Sequence, residues 1–240
     1  MTQHIYYQDA YIKQFEATIQ EVQEGKLIIL DKTCFYPAGG GQPSDMGVLI
    51  HQGETFIVNH VGKKDGNIIH EVAKLGLKKG DEVQGEINWN KRYKLMRMHT
   101  AAHTIAAIMH SLASALITGN RLDEETSRID FSLDNFNREQ IGQYIEQANE
   151  CIRKNLPVKS YFISVEEAKA IPELSKLAVF NLDKIAENGK IRIVEIAGLD
   201  KQADGGTHVK SLKEIGKIIL DRLENKGSKN RRLYFKLESS

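Results

Sequence analysis

The hydrophobic period of this chain changes once, near residue 90, and that change limits the architectures open to it. Before Asn90, short runs rich in β-branched residues recur: Ala17 to Val22, Leu27 to Leu30, Thr55 to Val61, Asn67 to Val72 and Glu82 to Trp89. Glu24-Gly25, Lys64-Asp65-Gly66 and Lys78-Lys79-Gly80-Asp81 punctuate them as turns. Several short strands at this spacing predict a small barrel or sandwich. From Lys91 onward Leu95, Met98, Ala102, Ile105 and Met109 recur at three- and four-residue steps, the repeat of one helix face. The spacing predicts one long helix from about Lys91 to Leu116, ended near Gly119-Asn120. The expected organisation is two domains, residues 1–90 and 91–240.

The remainder alternates between the two periods. Arg128 to Leu133 reads as a strand, and Asn137-Arg138-Glu139-Gln140 as a capping box opening a helix with Ile141, Ile145, Ala148 and Ile152 on one face. Lys159 to Ser164 reads as a strand, and Ser164-Val165-Glu166-Glu167 as a second box opening a short helix. Ile191, Ile193 and Ile196 suggest a strand leading into Asp204, with mixed elements over Leu212 to Leu223 and Arg232 to Leu237 closing the chain. The net charge of +1 excludes a globally basic nucleic-acid binder, so such a partner would meet a local patch. Cys34 and Cys151 are no disulfide framework and fit a reducing cytosol. No apolar run approaches a membrane span, and Met1-Thr2-Gln3-His4 lacks the marks of a signal peptide. The expected location is cytoplasmic, with no membrane partner.

Chemistry concentrates in two short stretches, His99-Thr100-Ala101-Ala102-His103 and Asp204-Gly205-Gly206-Thr207-His208. Histidines four apart on a helix present both rings on one face, one turn apart. Alone, such a pair also occurs as ordinary packing. A second cluster bringing a carboxylate and a third imidazole completes a metal-site inventory. Asp204 and His208 share the same spacing, but the glycines between them favour a turn over a helix. Thr100 stands where a zincin would carry its general-base glutamate, which removes a metalloprotease mechanism. His110, roughly 10 Å along the helix axis from His103, is too far to share an ion. Phe35-Tyr36-Pro37-Ala38-Gly39-Gly40-Gly41-Gln42-Pro43 is a loop, either plain surface or one that offers its backbone to a ligand. The run from Lys226 to Arg232 is basic and reads as a solvated loop or a phosphate contact.

In sequence order these pieces resemble a known family. His99-Thr100-Ala101-Ala102-His103 is similar to the H-T-x-x-H segment of the alanyl-tRNA editing domain, and Gly205-Gly206-Thr207-His208-Val209 to the end of its C-G-G-T-H-V segment. Glu214-Ile215-Gly216 follows as the family's E-I-G does, and Phe35 to Gly47 resembles the glycine motif of the free-standing AlaX proteins. The medium-length, free-standing type is the nearest match. The resemblance implies an α+β fold, with a small N-terminal β-barrel followed by an α/β editing domain having an antiparallel sheet and a long metal-binding helix. It implies an ATP-independent deacylase acting on mischarged tRNA-Ala, carrying serine or glycine. The implied zinc ligands, one ion per chain, are His99, His103 and His208, with Asp204 in the position of the family's cysteine. Asp204 is then either a harder ligand or a group that orients a histidine or the water. Thr100 and Thr207 flank the ligands and are candidates to meet the serine hydroxyl. Gly39, Gly40, Gly41 and Gln42 are candidates to line the substrate site, and Arg231 and Arg232 to contact phosphate. Editing of a threonyl-type substrate, or an inactive tRNA- or metal-binding module, are the alternative readings.

Overall fold

The computed structural model describes residues 2–64, 66–134, 137–171, 174, 176, 181–182, 186–227 and 229–238. The chain divides into two compact units, Met1–Leu95 and Met96–Ser240.

The first unit holds β1 (Gln3–His4), α1 (Ile5–Gln8), β2 (Gln14–Gln23), β3 (Leu27–Leu30), β4 (Lys32–Thr33), β5 (Gly47–His51), β6 (Glu54–Lys64), β7 (Asn67–Val72) and β8 (Glu82–Ile87). Six of these strands close a barrel in the order β2-β3-β7-β6-β5-β8. Inward and outward residues alternate as the pleat requires: Phe15, Ala17 and Ile19 of β2 are buried, and so are Val83 and Ile87 of β8. They join Ile28, Leu30, Leu49, Phe56, Val58, Val61 and Ile68 in one core. Of the two architectures open to the sequence, the barrel is the one formed. Gly47-Val48-Leu49-Ile50-His51 is a strand the periodicity did not mark, because it is short and follows directly on the glycine loop. The expected strand to Trp89 stops at Ile87, since Asn88 accepts the backbone N–H of Lys91 and starts the next helix. A glycine in β8 has a packing reason: a Cβ at Gly85 would lie 2.3 Å from the Phe15 ring.

Two buried polar groups organise this unit. Arg92 and Asp45 form an ion pair with both side chains fully buried. Arg92 Nε donates to both carboxylate oxygens at 3.0 Å, Nη1 to Ala10 O at 2.8 Å and Nη2 to Cys34 O at 2.6 Å. Asp45 also accepts the Tyr36 N–H at 2.7 Å. His70, likewise buried, contacts Ile28 O through Nδ1 at 3.1 Å and Thr33 Oγ1 through Nε2 at 2.8 Å. Burial pushes its pKa down to about 4.

Helix α2 (Trp89–Ala113) runs a little earlier than the period predicted. Every residue from Met98 to Met109 is buried, so this stretch is enclosed on all sides rather than on one face. After it come β9 (Ile117–Arg121), β10 (Ser127–Phe131), α3 (Arg138–Arg153), β11 (Val158–Ser164), α4 (Val165–Lys169), β12 (Lys190–Ile196), β13 (Asp200–Ala203), a 3-10 turn (Leu212–Ile215), β14 (Ile218–Asn225) and β15 (Arg231–Leu237). Two antiparallel sheets result, β14-β15-β10-β9 and β11-β12-β13. Asn137 caps α3 by accepting the N–H groups of Glu139 and Gln140. The Gln140 side chain donates through Nε2 to Tyr144 Oη at 2.8 Å. At Ser164 both halves of the box form. The architecture is α+β, as the resemblance implied.

Candidate metal centre

His99 and His103 project from the enclosed part of α2, and Asp204 and His208 from the segment that follows β13. The expected direct run from the Ile191–Ile196 strand into Asp204 is interrupted by a hairpin, since β12 pairs back on β13 before the chain reaches the site. The segment after β13 is a tight turn in which Asp204 Oδ2 accepts the Gly206 N–H at 2.7 Å. Arg192 on β12 clamps the turn, its Nη1 donating to Asp204 O and Gly206 O at 2.9 Å each. Gly206 passes against the His99 ring: a Cβ there would sit 2.2 Å from Cε1.

One ligand atom from each of His99, His103, Asp204 and His208 lies within 4.8 Å of the others. The imidazole centroids are 5.2 Å apart for His99 and His103, 4.3 Å for His99 and His208, and 4.7 Å for His103 and His208. Asp204 Oδ2 is 2.9 Å from His208 Nε2, and Oδ1 is 3.6 Å from His99 Nε2. The outer nitrogens are held from behind. His103 Nδ1 meets Asp200 Oδ2 at 2.9 Å, and His208 Nδ1 meets Thr100 Oγ1 at 3.1 Å.

The Thr100 hydroxyl decides a protonation state. Its single proton goes to Met96 O at 2.9 Å, so toward Val209 N at 3.2 Å and His208 Nδ1 it can only accept. His208 therefore carries its proton on Nδ1, and Nε2 presents a lone pair to a carboxylate oxygen. Burial pushes His208 down to about 4, so a second proton on the ring does not relieve that contact near neutral pH. Burial also pushes His99 well below the ordinary histidine value. Burial would lower His103 too, but the carboxylates of Asp200 and Asp204 together outweigh it and the pKa is raised. A nitrogen lone pair facing a carboxylate oxygen, with two more imidazoles beside them, makes a group that could hold a metal ion. Three imidazoles and one carboxylate are a donor set that suits zinc.

The other sequence candidates fall in different places. Thr100 is buried with its hydroxyl committed to the protein, which leaves no proton for a substrate hydroxyl. Thr207 is also fully buried, next to His208. In the barrel unit Gly39, Gly40 and Gly41 are exposed and Gln42 is buried. They form a two-residue reverse turn with φ of +59° at Gly40 and +85° at Gly41, closed by Gly39 N–H to Gln42 O at 3.1 Å and Gln42 N–H to Gly39 O at 2.9 Å. Positive φ at both central positions is what glycine supplies at no steric cost. Arg231 and Arg232, the expected phosphate contacts, are engaged within the protein. Both lie in strand β15, not in a solvated loop. Arg232 makes a bidentate pair with Asp130 at 2.7 and 2.8 Å, and the buried Arg231 donates to the carbonyls of Gly227, Asn230 and Asp134. His110 stands apart from the cluster, with Nδ1 3.4 Å from Ala115 O. Asp200, Lys176 and Arg192 escaped the sequence reading. A polar residue in a strand carries no mark of which face it occupies until the strand's partners are known.

No helix among the described residues is long and apolar enough to cross a membrane. Residues 3–91 match the family model of class II (A) tRNA synthetases, and residues 191–234 that of the threonyl and alanyl tRNA synthetase second additional domain. The alanyl-tRNA editing protein AlaX-M of Methanosarcina acetivorans is 45% identical over 99% of this chain and 99% of its own. That of Saccharolobus solfataricus is 43% identical over 98% of both. The alanine–tRNA ligase of Pyrobaculum aerophilum is 35% identical over 93% of this chain but only 25% of its own length. With near-complete coverage in both directions at this identity, the chain belongs to the AlaX family of alanyl-tRNA editing proteins.

Proposed function

We propose that this protein is a trans-editing hydrolase that deacylates tRNA-Ala mischarged with serine or glycine, at one zinc ion held by His99, His103, Asp204 and His208. The observation that carries this reading is the convergence of four donors from two distant segments to within 4.8 Å, in a chain similar along its whole length to alanyl-tRNA editing proteins. Ester hydrolysis needs a water at the carbonyl carbon and a sink for the charge that develops on the carbonyl oxygen. Zinc, when bound, lowers the pKa of a water and polarises a carbonyl. The protein supplies the frame for this. Thr100 holds the His208 ring by its outer nitrogen, and Arg192 fixes the turn that carries Asp204. The burial of all three imidazoles strengthens the local electrostatics by keeping bulk water out.

Thr207, buried beside His208, is our candidate to meet the serine hydroxyl. A site that pairs with that hydroxyl leaves a polar group unsatisfied when alanine enters, and so spares the correct product. The bare backbone of Gly40 and Gly41 lets RNA approach closely, and we assign the turn from Gly39 to Gln42 to substrate contact. A threonyl-type substrate is the second reading, supported by the match of residues 191–234 to a domain shared by threonyl and alanyl synthetases. The test is deacylation of Ser-tRNA-Ala, Gly-tRNA-Ala, Ala-tRNA-Ala and a serine-mischarged threonine tRNA, each with chelator and with zinc restored. The reading expects rapid, chelator-sensitive loss of serine from tRNA-Ala and sparing of Ala-tRNA-Ala. Equal rates on the correct and mischarged tRNA-Ala would overturn it.

A further inference from the structure

The carboxylate behind His103 is the most heavily engaged group outside the four proposed ligands. Asp200 opens strand β13, and its side chain is fully buried. One oxygen, Oδ2, accepts from His103 Nδ1 at 2.9 Å and from Gln202 Nε2 at 2.8 Å. The other, Oδ1, takes the ammonium of Lys176, itself almost enclosed. Gln202 is two residues along the same strand, so it shares the inward face with Asp200. Burying a carboxylate and an ammonium is costly unless each is well paired. Nothing in the packing of β13 on β12 requires a charge at this position, because the ladder is made by backbone groups.

We propose that Asp200, braced by Lys176 and Gln202, is a positioning residue that fixes the ring and tautomer of His103. A carboxylate can only accept a proton, so Nδ1 must carry it, and in the neutral ring Nε2 is left as the nitrogen with a lone pair. The ring cannot flip without putting the Cδ2–H where Nδ1 was and losing the hydrogen bond to the carboxylate. Held in this way, His103 presents Nε2 to the cluster already oriented. Thr100 does the same for His208 with a neutral hydroxyl. The difference is charge: Asp200 also raises the basicity of the ring it holds, which makes His103 the stronger donor. The inference rests on the metal-site reading only for what Nε2 does, not for the tautomer.

Two measurements test it. In metal-free wild-type protein, at a pH above the raised pKa of His103 so that its ring is neutral, ¹⁵N chemical shifts of the histidines report the tautomer directly. The proposal expects His103 as the Nδ1–H form, and an Nε2–H form would overturn it. Zinc affinity is then measured by chelator competition in wild type, Asp200→Asn, Asp200→Ala and Asp200→Ala combined with Lys176→Met, the last so that no ammonium is buried without a counter-charge. Removing such a supporting group is expected to cost about 10- to 100-fold in affinity. Asp200→Asn keeps an acceptor for Nδ1 and should lose less than Asp200→Ala. Wild-type affinity in both alanine variants would overturn the proposal. Should wild type bind no zinc, the metal-site reading fails, and the metal-free tautomer alone decides the role of Asp200.

Discussion

His70 in the barrel and His208 in the metal centre are both buried, and burial holds both near pKa 4. Their surroundings differ in one respect. Both nitrogens of His70 end on neutral protein groups, Ile28 O and the Thr33 hydroxyl. His208 has one nitrogen so satisfied, while the other faces a carboxylate and two more imidazoles. The carboxylates repeat the contrast. Asp45 spends its charge on Arg92 and the Tyr36 N–H, whereas Asp204 accepts the Gly206 N–H and turns the rest of its charge toward the imidazoles of His99 and His208. Burial and a shifted pKa therefore do not separate a structural polar group from a functional one. The direction of the lone pairs does: complementary donors close a structural cluster, and converging acceptors can hold a cation supplied from outside.

The largest expected effect breaks the structural side. Asp45→Ala leaves the Arg92 guanidinium buried without its counter-charge, and we expect a loss of about 3–5 kcal/mol in unfolding free energy. Denaturant titration checks this, and the loss should be the same with and without zinc. A loss seen only in the absence of zinc would merge the two clusters that are here kept apart.

His70 sharpens the contrast through pH. Folded His70 stays neutral down to about pH 4, while an unfolded histidine takes a proton near 6.5. Between these values the unfolded chain binds more protons, so stability falls as pH drops from 6.5 toward 4 and the loss is complete below 4. The share due to His70 is about 3 kcal/mol. The unfolding free energy of His70→Asn should be less steep in this window than that of wild type. Parallel curves would mean that the barrel histidine is already charged in the folded state.

On the metal side, His103→Ala should lower zinc affinity by about 100-fold or more and deacylation with it, because it removes a ligand rather than a support. The circular dichroism of the metal-free variant should match that of metal-free wild type. Undiminished turnover by a zinc-free His103→Ala protein would end the catalytic-metal reading. Gly206→Ala should act more weakly, by roughly 10-fold in affinity, since its Cβ displaces the His99 ring but removes none of the four donor groups. Chelator competition measures both. The smallest effect belongs to Arg232→Ala. Its pair with Asp130 is partly exposed, and such pairs are worth up to about 1 kcal/mol. The salt dependence of tRNA binding should not change, as the guanidinium already has a carboxylate partner.

Much of the fold was legible because period and turn chemistry are local. Leu27–Leu30 and Asn67–Val72 are strands at the bounds their patterns predicted, and the Ser164 box forms as written. Gly47–His51 was not legible, since five residues beside a glycine loop carry too little alternation to register. His99 and His103 could be read because histidines four apart on a helix share a face whatever packs around them, and Asp204 and His208 because the Gly-Gly-Thr-His stretch resembles the family's motif. Their supports could not. Asp200 and Arg192 lie far from His103 and Gly206 along the chain or on another element, and only the β12–β13 hairpin turns them inward.

The sequence by itself determined the periods, the turns and the inventory of donors, all of which depend on neighbours within a few residues. Only the tertiary structure decided that Arg232 meets Asp130 across a strand pair and that Thr100 spends its proton on Met96. It alone decided, too, that His208 and Asp204 face each other as two acceptors. Each of those depends on where a hydrogen-bonding group points once the chain has closed on itself, and a buried group must find its partner among whatever the fold brings within reach.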